Sequence, residues 1–273
     1  MAIRHIFLSL ALVSQFALAT PEYKFGVVPQ FEPRKLSAIW SPVLAELEKR
    51  TGFKLTMVGA ARIPEFEGEF EAGRYDFAYM NPYHSLVAMR TQKYAPLVRD
   101  GGQKLFGILV TAKDGPIHQV SDLAGKEIAF PAPNALGASL LMRADLSGLH
   151  RISFTPVWAQ THSSAYLNAA LGKVAAAGGV MATFQQQPQQ VRDKLRIVYE
   201  TRHIAPHPVM VHPRVPTADR EKMRQAFIDM GKTAEGKEML AKIPIEQIVP
   251  ANTEDYSEIQ GWGLEHYYEK GGD

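Results

Sequence analysis

The stretch YDFAYMNPYH, residues 75–84, determines the fold that the sequence predicts. Its first half, Tyr75 to Tyr79, is an apolar run of the kind that forms a buried strand. Asn81 can then cap a helix with its side chain, and Pro82 suits the first helical position, so we expect a helix to about Thr91. A strand that passes directly into a helix is the repeating unit of α/β proteins.

The same unit recurs along the rest of the chain. The hydrophobic pattern predicts strands at residues 25–28, 53–58, 127–130, 153–158 and 174–177, and helices at residues 33–50, 63–72, 135–146 and 163–171. Such repetition predicts parallel sheets covered by helices on both faces. Two further strands at residues 95–98 and 104–111 are expected to be joined by a turn at residues 100–102. Helices at residues 217–231 and 234–243, and another packed helix within residues 261–273, complete the prediction.

These two α/β series predict two lobes with a hinged cleft between them. The first lobe comprises residues 20–104 and 209–273, and the second, residues 105–208, is inserted into it. Extended segments near residues 101–110 and 201–210 connect the lobes. Two-lobe α/β proteins bind ligands in the cleft, at the carboxyl ends of the strands, so we expect a ligand there.

The N-terminus is typical of a cleavable secretory signal peptide, residues 1–19. Arg4 and His5 form a short polar start, Ile6 to Val13 is apolar except for Ser9, and Ala17-Leu18-Ala19 is a small-residue cleavage site. The apolar run is shorter than the ~20 residues that a membrane-spanning helix needs. We therefore expect export rather than anchoring.

The composition excludes several classes of protein. The 273 residues include 30 basic and 28 acidic side chains, a balance that argues against a nucleic-acid-binding protein. The chain has no cysteine, which excludes disulfides, thiolate metal sites, cysteine nucleophiles and a lipid anchor on an N-terminal cysteine. An exported protein without a lipid anchor would diffuse away unless an outer membrane retained it, so we expect a Gram-negative periplasm.

Several predicted helices begin where strands end, and these helix starts could form an anion site. They lie at Asn81, at Asn134 to Ser139, and at Thr161-His162. Each offers unpaired backbone N–H groups and the positive end of a helix dipole. Gly137 would let a ligand approach the backbone closely. The alternative is that Asn81, Asn134 and Thr161 only cap their helices.

Two other groups of side chains have alternative interpretations. Tyr79 and Tyr83 could wall the pocket and donate hydrogen bonds, or pack in the core. His203, His207 and His212 could bind a metal, but they lie in a Pro-rich extended segment without a supporting acidic cluster, so a structural or hinge role is favoured.

The motifs of hydrolases, zinc proteases and nucleotide-binding loops are absent. We expect a binding protein that is not an enzyme and needs no cofactor.

With these elements placed, the chain resembles the type II periplasmic solute-binding proteins, in particular the phosphate/phosphite/phosphonate-binding components of ABC transporters. Four stretches carry the resemblance: residues 25–29 (FGVVP), residues 75–82 (YDFAYMNP), residues 122–130 (DLAGKEIAF) and the helix start at Thr161-His162. The resemblance implies a two-lobe fold with a hinged interlobe cleft. It also implies a small oxyanion ligand and an inner-membrane ABC permease as partner.

The resemblance also implies which residues bind the ligand. The family's pocket histidine corresponds to His162, and its first-lobe tyrosine to Tyr79. Its hydroxyl-rich Ser-Thr-Ser-Gly turn corresponds to Asn134-Ala135-Leu136-Gly137, which keeps only the glycine. The acidic residue of its Gly-x-Val-Asp-Ala pattern corresponds to Ala175, so that carboxylate is absent. Backbone N–H groups would then bind the ligand where side-chain hydroxyls do so in the family.

The sequence therefore predicts a monomeric periplasmic protein that captures a phosphonate-, phosphite- or phosphate-like anion, or another small polar ligand. We expect the ligand to contact Tyr79, Asn81, Asn134, Ala135, Gly137, Ser139 and His162. Three alternatives stay open at this point: a sensory protein that signals to a membrane-bound kinase or cyclase, a secreted enzyme of the same fold, and a metal-binding protein.

Overall fold

The computed structural model describes residues 20–270, which fold into two mixed β-sheets covered by helices. The predicted signal peptide, residues 1–19, lies outside the described residues. The strands are β1 (Glu22–Val27), β2 (Lys54–Val58), β3 (Phe77–Tyr79), β4 (Ala95–Asp100), β5 (Gly107–Ala112), β6 (Glu127–Phe130), β7 (Thr155–Trp158), β8 (Ala176–Val180), β9 (Leu195–Glu200), β10 (Val209–Val211) and β11 (Ile248–Pro250).

The helices lie between these strands much as the sequence predicts. They are α1 (Pro33–Thr51), α2 (Ile63–Glu71), α3 (Pro82–Gln92), α4 (Leu141–Ala144), α5 (His162–Ala170), α6 (Met181–Gln185), α7 (Gln189–Arg192), α8 (Thr217–Met230) and α9 (Ala234–Ala241). Within residues 20–270, no helix has the length and apolar character needed to cross a membrane.

The strand–helix repeats form parallel strand pairs, as predicted, but both sheets also contain antiparallel pairs and are therefore mixed. The first has the order β11-β4-β10-β3-β1-β2, and the second has the order β7-β6-β8-β5-β9. In the first, β2, β1 and β3 are parallel, but β10 returns from the second sheet and pairs antiparallel with both β3 and β4. In the second, β5 runs antiparallel to β8 and to β9. The reversals follow from the two passages of the chain between the sheets.

The predicted turn at residues 100–102 does not join two strands of one sheet. β4 belongs to the first sheet and β5, the next strand along the chain, belongs to the second. Residues 101–106 therefore cross from one sheet to the other. Residues 201–208 form the return crossover, and Leu105 and Ile204 pair across the two segments as an isolated antiparallel bridge. Buried Asp100 fixes the start of the crossover, because its Oδ1 accepts from the N–H groups of Gly102 and Gln247. The lobe boundaries at residues 104/105 and 208/209 stay a prediction.

Aromatic packing builds the core of the first sheet. The α1 helix presents Trp40 to Phe25 of β1 and to Tyr79 of β3, with ring centroids 5.3 Å and 5.0 Å apart. All three side chains are buried. This packing fixes the carboxyl ends of β1 and β3, which face the cleft.

Two predicted helices differ in detail. The helix expected at residues 135–146 runs from Leu136 to Leu149, and its first and last turns, Leu136–Leu140 and Asp145–Leu149, are wider π-helical turns around α4. The packed helix expected within residues 261–273 is wrong: 3₁₀ turns occupy Thr253–Trp262 and Leu264–His266, separated by Gly263 in the left-handed conformation. A residue at φ 67 cannot continue a helix.

We predict that Gly107→Ala destabilises the fold because the start of β5 touches the Leu136–Leu140 turn through backbone atoms. A Cβ at residue 107 would lie 2.0 Å from the carbonyl oxygen of Gly137. Overpacking against backbone should lower the free energy of unfolding by about 2 kcal/mol or more, measured by urea denaturation. Gly59→Ala is the matched control because nothing lies within 4 Å of its Cβ position. Equal effects of the two substitutions would contradict the prediction.

Candidate functional site

A small cavity between the two sheets brings together several helix starts. Its volume is ≈ 10 Å³, about that of one water. It is lined by Val28, Gln30, Ile63, Asn81, Ala135, Leu136, Gly137, Ala138, His162, Val180 and His207. Four of the residues expected from the sequence thus share one cavity: Asn81, Ala135, Gly137 and His162.

Asn81 caps α3 and also joins the two walls of the cavity. Its Oδ1 accepts from the backbone N–H of His84 at 2.8 Å, which is the helix-cap interpretation. Its Nδ2 donates to the carbonyl oxygen of Asn134 at 3.1 Å, across the cleft. Thr161 is likewise a cap, since its Oγ1 accepts from the N–H of Ser164 at 3.1 Å. Asn134 does not cap the helix that follows, because that helix begins after Ala135 without a side-chain cap.

His162 lies at the first position of α5, and its ring is held by a buried hydroxyl. Its Nδ1 is 3.1 Å from Oγ1 of Thr183, which also contacts the carbonyl oxygen of Val180 and the hydroxyl of Tyr166. This contact leaves Nε2 for a ligand. Burial lowers the pKa of His162 from 6.5 to about 4, so the ring is neutral at pH 7.

His207 lines the cavity, although the sequence interpretation did not place it among the site residues. It lies in the return crossover, 8% exposed, and stacks on Tyr79 with centroids 5.2 Å apart and an interplanar angle of 24°. Its Nε2 lies 3.4 Å from Nε2 of Gln30. Burial lowers its pKa to about 3, with smaller contributions from His84 and His162. The sequence feature that could have indicated its place in the cavity was its position in an apolar extended segment between the lobes.

Tyr79 stands beside the cavity rather than in its wall. It lines an adjoining cavity of ≈ 40 Å³ together with Gln30, Asp100, Thr183 and His207. Burial, and then the negative charge of Asp100, raise the pKa of the Tyr79 phenol above its usual range. The tyrosine therefore stays protonated and can donate a hydrogen bond into the adjoining cavity.

Asn134 and Ser139 do not line the cavity, and protein groups engage both side chains. The Nδ2 of Asn134 donates to Oε2 of Glu67 at 3.0 Å and to the carbonyl oxygen of Glu269 at 2.8 Å, while its Oδ1 accepts from the N–H of Glu269 at 3.0 Å. Buried Ser139 has its Oγ 3.3 Å from Nε of Arg143. Ligand contacts from these two residues stay predictions.

A C-terminal strap, residues 264–269, crosses from the first sheet's side to the helix start at Leu136. Besides the Asn134 contacts, buried Arg143 donates to the carbonyl oxygens of Tyr267 at 2.6 Å and Pro133 at 3.0 Å, and pairs with Glu269 at 2.9 Å. On the other side, Glu67 of α2 accepts from Asn134. The strap and α2 together hold residues 133–136 in place.

The three histidines of the possible metal site lie apart. His203 stacks on Phe106 with centroids 4.2 Å apart, His207 on Tyr79, and His212 meets Tyr94 edge-on at 4.9 Å. Within residues 20–270, no group of three or more His, Cys, Asp or Glu residues is arranged to hold a metal ion. The stacking contacts agree with the structural or hinge role favoured from the sequence.

Comparison with known proteins gives one consistent family. The family model described as "ABC transporter, phosphonate, periplasmic substrate-binding protein" matches residues 25–256. The phosphonates-binding periplasmic protein of Escherichia coli is 24% identical over 266 residues, which cover 87% of this chain and 78% of that protein. The phosphate-import protein PhnD of Mycolicibacterium smegmatis is 29% identical over 168 residues, covering 54% of this chain and 51% of that protein.

Solved structures share the two-lobe fold. A binding protein component of an ABC phosphonate transporter from Pseudomonas aeruginosa has a TM-score of 0.80 at 17% identity, covering 89% of this chain and 85% of that one. PhnD1 from Prochlorococcus marinus, solved with methylphosphonate, has a TM-score of 0.81 at 11% identity, covering 90% and 98%. These likenesses show that the fold is that of the type II periplasmic binding proteins, as the sequence predicts.

We predict that acid destabilises the protein through His162. Its pKa is about 4 in the folded chain and 6.5 as a free side chain, so the unfolded chain binds more protons between these values. This contribution to stability is complete above pH 6.5 and is lost as the pH falls toward 4, by on the order of 3 kcal/mol. Urea unfolding at a series of pH values should show a shallower loss for His162→Gln than for exposed His118→Gln. Identical profiles would contradict this.

We also predict that Arg143→Met lowers the free energy of unfolding by about 2 kcal/mol, since it leaves the buried carbonyl oxygen of Pro133 and the partly buried one of Tyr267 without their charged donor. Thermal unfolding would measure the change. Arg34→Met is the control because the Arg34 side chain is exposed, on helix α1, and forms no hydrogen bond or ion pair within residues 20–270. A loss no larger than that of the control would argue against the strap.

Proposed function

Because this chain belongs to the periplasmic substrate-binding proteins of phosphonate ABC transporters, we propose that it captures a small oxyanion in the cavity between its sheets and presents it to an inner-membrane permease. The observation that carries the proposal is the shared cavity at the starts of α3, α5 and the Leu136–Leu140 turn. Helix starts supply backbone N–H groups and positive dipole ends to an anion.

Residues on both sides of the cleft line the cavity, which couples binding to closure. Asn81 and Ile63 belong to the first sheet's side, while Gly137 and His162 belong to the second. A ligand that contacts both sides favours the closed arrangement over the open one. The closed form is then the one that a permease recognises. The family match supports this transport function over the sensory alternative.

The ligand we propose is an oxyanion of the phosphate, phosphite or phosphonate class. The cavity wall contains no Lys, Arg, Asp or Glu among the described residues, so before an anion binds the wall offers only neutral donors and helix dipoles. The loss of the family's hydroxyl-rich turn leaves Ala135 and Leu136 at the helix start, and these offer backbone groups alone. A site of this kind favours a compact anion over a ligand that needs many side-chain hydrogen bonds.

The cellular setting follows from the family, whose members act in the periplasm with a membrane permease. We further propose the periplasm of a Gram-negative cell and a monomeric protein, together with cleavage of the predicted signal peptide. Size-exclusion chromatography with light scattering on the exported protein, and N-terminal sequencing, would test the last two points.

A thermal-shift screen would identify the ligand. The panel comprises phosphate, phosphite, methylphosphonate, sulfate, arsenate and small carboxylates. A specific ligand at ~100 times its Kd should stabilise the protein by ~2.7 kcal/mol. Stabilisation by a carboxylate alone would contradict the proposed class, and no stabilisation by any anion would contradict the proposed function.

We predict that His162→Ala weakens binding of the best anion at least tenfold in titration calorimetry, since its Nε2 is available to the cavity. His118→Ala, an exposed substitution elsewhere in the second lobe, should bind as the unmodified chain does. Unchanged affinity in His162→Ala would show that His162 is a structural residue of α5.

A further inference from the structure

We propose that His207 is a second ligand-binding residue, which faces the oxyanion together with His162, and that this pair takes up a proton from solvent when the anion binds. The inference deepens the proposed function and rests on it. It names a binding residue in the return crossover, where the sequence favoured a structural or hinge role.

The placement of the two rings carries the argument. Both are buried and line the same cavity, but they come from different parts of the chain: His162 from the start of α5 and His207 from the crossover between β9 and β10. An anion in this cavity would therefore touch one histidine from the second sheet's side and one from the hinge. Such an arrangement suits a ligand that bridges the lobes.

The neutral cavity wall leaves the charge of a bound anion without a positive partner. Burying an anion without a positive partner is costly in a water-excluded site. Within the described residues, the two histidines are the cavity wall's titratable side chains, and both are neutral in the absence of an anion because burial lowers their pKa values. A bound anion acts in the opposite direction and favours the imidazolium form.

The other titratable groups near the cavity do not line it, so His162 and His207 are the ones that can take up the proton. On the first sheet's side, buried His84 already contacts Glu67, with Nε2 and Oε1 2.8 Å apart. In the adjoining cavity, the Oδ1 of Asp100 is engaged by backbone N–H groups, Tyr79 stays protonated, and Lys104 lies on the hinge side. On the second sheet's side, Thr183 contacts the Nδ1 of His162. None of these groups lines the cavity that His162 and His207 share.

The contact with Gln30 indicates that Nε2 of His207 is the atom that takes up the proton. With the two Nε2 atoms 3.4 Å apart, the amide N–H of Gln30 can donate to His207, whose Nε2 then acts as an acceptor. A proton taken up on that nitrogen turns it into a donor. It then donates to the bound oxyanion and no longer accepts from the Gln30 amide.

The test is titration calorimetry of methylphosphonate and of inorganic phosphate at pH 7, in buffers with different heats of ionisation. At pH 7 each ligand is a mixture of monoanion and dianion, so the histidine pair takes up one proton per bound anion while the monoanionic fraction releases its own. We expect a net uptake below one proton at pH 7, which rises toward one at a pH where the free ligand is already a dianion. His207→Phe, which keeps an aromatic ring against Tyr79, should bind at least tenfold more weakly and lose part or all of the uptake. His207→Gln should do the same, which guards against a packing artefact in either variant. His203→Gln, outside the cavity, is the control and should match the unmodified chain.

Nuclear magnetic resonance then locates the proton. Ring ¹⁵N shifts should report an imidazolium in the complex, while the ³¹P shift should report the more ionised ligand. Binding without proton uptake, a proton found on the ligand alone, or full affinity in both His207 variants would overturn this inference and leave the proposed function standing. Failure of every anion in the panel to bind the unmodified chain would overturn the proposed function, and this inference with it.

Discussion

The site depends on one constraint: the helix start of the second lobe must be held against the first lobe. The Asn81–Asn134 hydrogen bond crosses the cleft, and the Asn134 side chain meets Glu67 on one side and the strap at Glu269 on the other. Arg143 then joins the strap to the carbonyl oxygen of Pro133. Since the amides of Ala135 to Ala138 follow directly, this network sets where the cavity's backbone lies.

Burial without charge is the second determinant of the site. The cavity is lined by neutral amides, apolar side chains and two histidines, with no charged residue among the described residues of its wall. Helix dipoles provide a positive potential whose strength is fixed by geometry, whereas the histidines can respond to a ligand. The same burial that keeps the rings neutral before binding makes them sensitive to an anion beside them.

The sequence predicted the fold well because its signals are local. Strand and helix periodicity, the cap at Asn81 and the helix start at Thr161 depend on neighbouring residues, and the structure confirms both caps. Strand direction was predicted less well because β10 and β11 join the first sheet only after a long insertion. The roles of Asn134 and His207 depend on partners such as Glu269 and Gln30, which are 135 and 177 positions away, and no local pattern carries that information.

The apolar turn at Ala135-Leu136 changes how the cleft closes. Both residues are buried and belong to the same hydrophobic cluster as Trp40 and Phe77 of the first lobe, although they follow a strand of the second. Closure therefore buries apolar surface as well as ligand, and part of its free energy comes from contacts within the protein. A ligand then needs to supply less of the free-energy difference between the open and closed forms. In the proposed binding mode, this turn contacts the anion through backbone groups alone, while its apolar side chains favour the closed cleft.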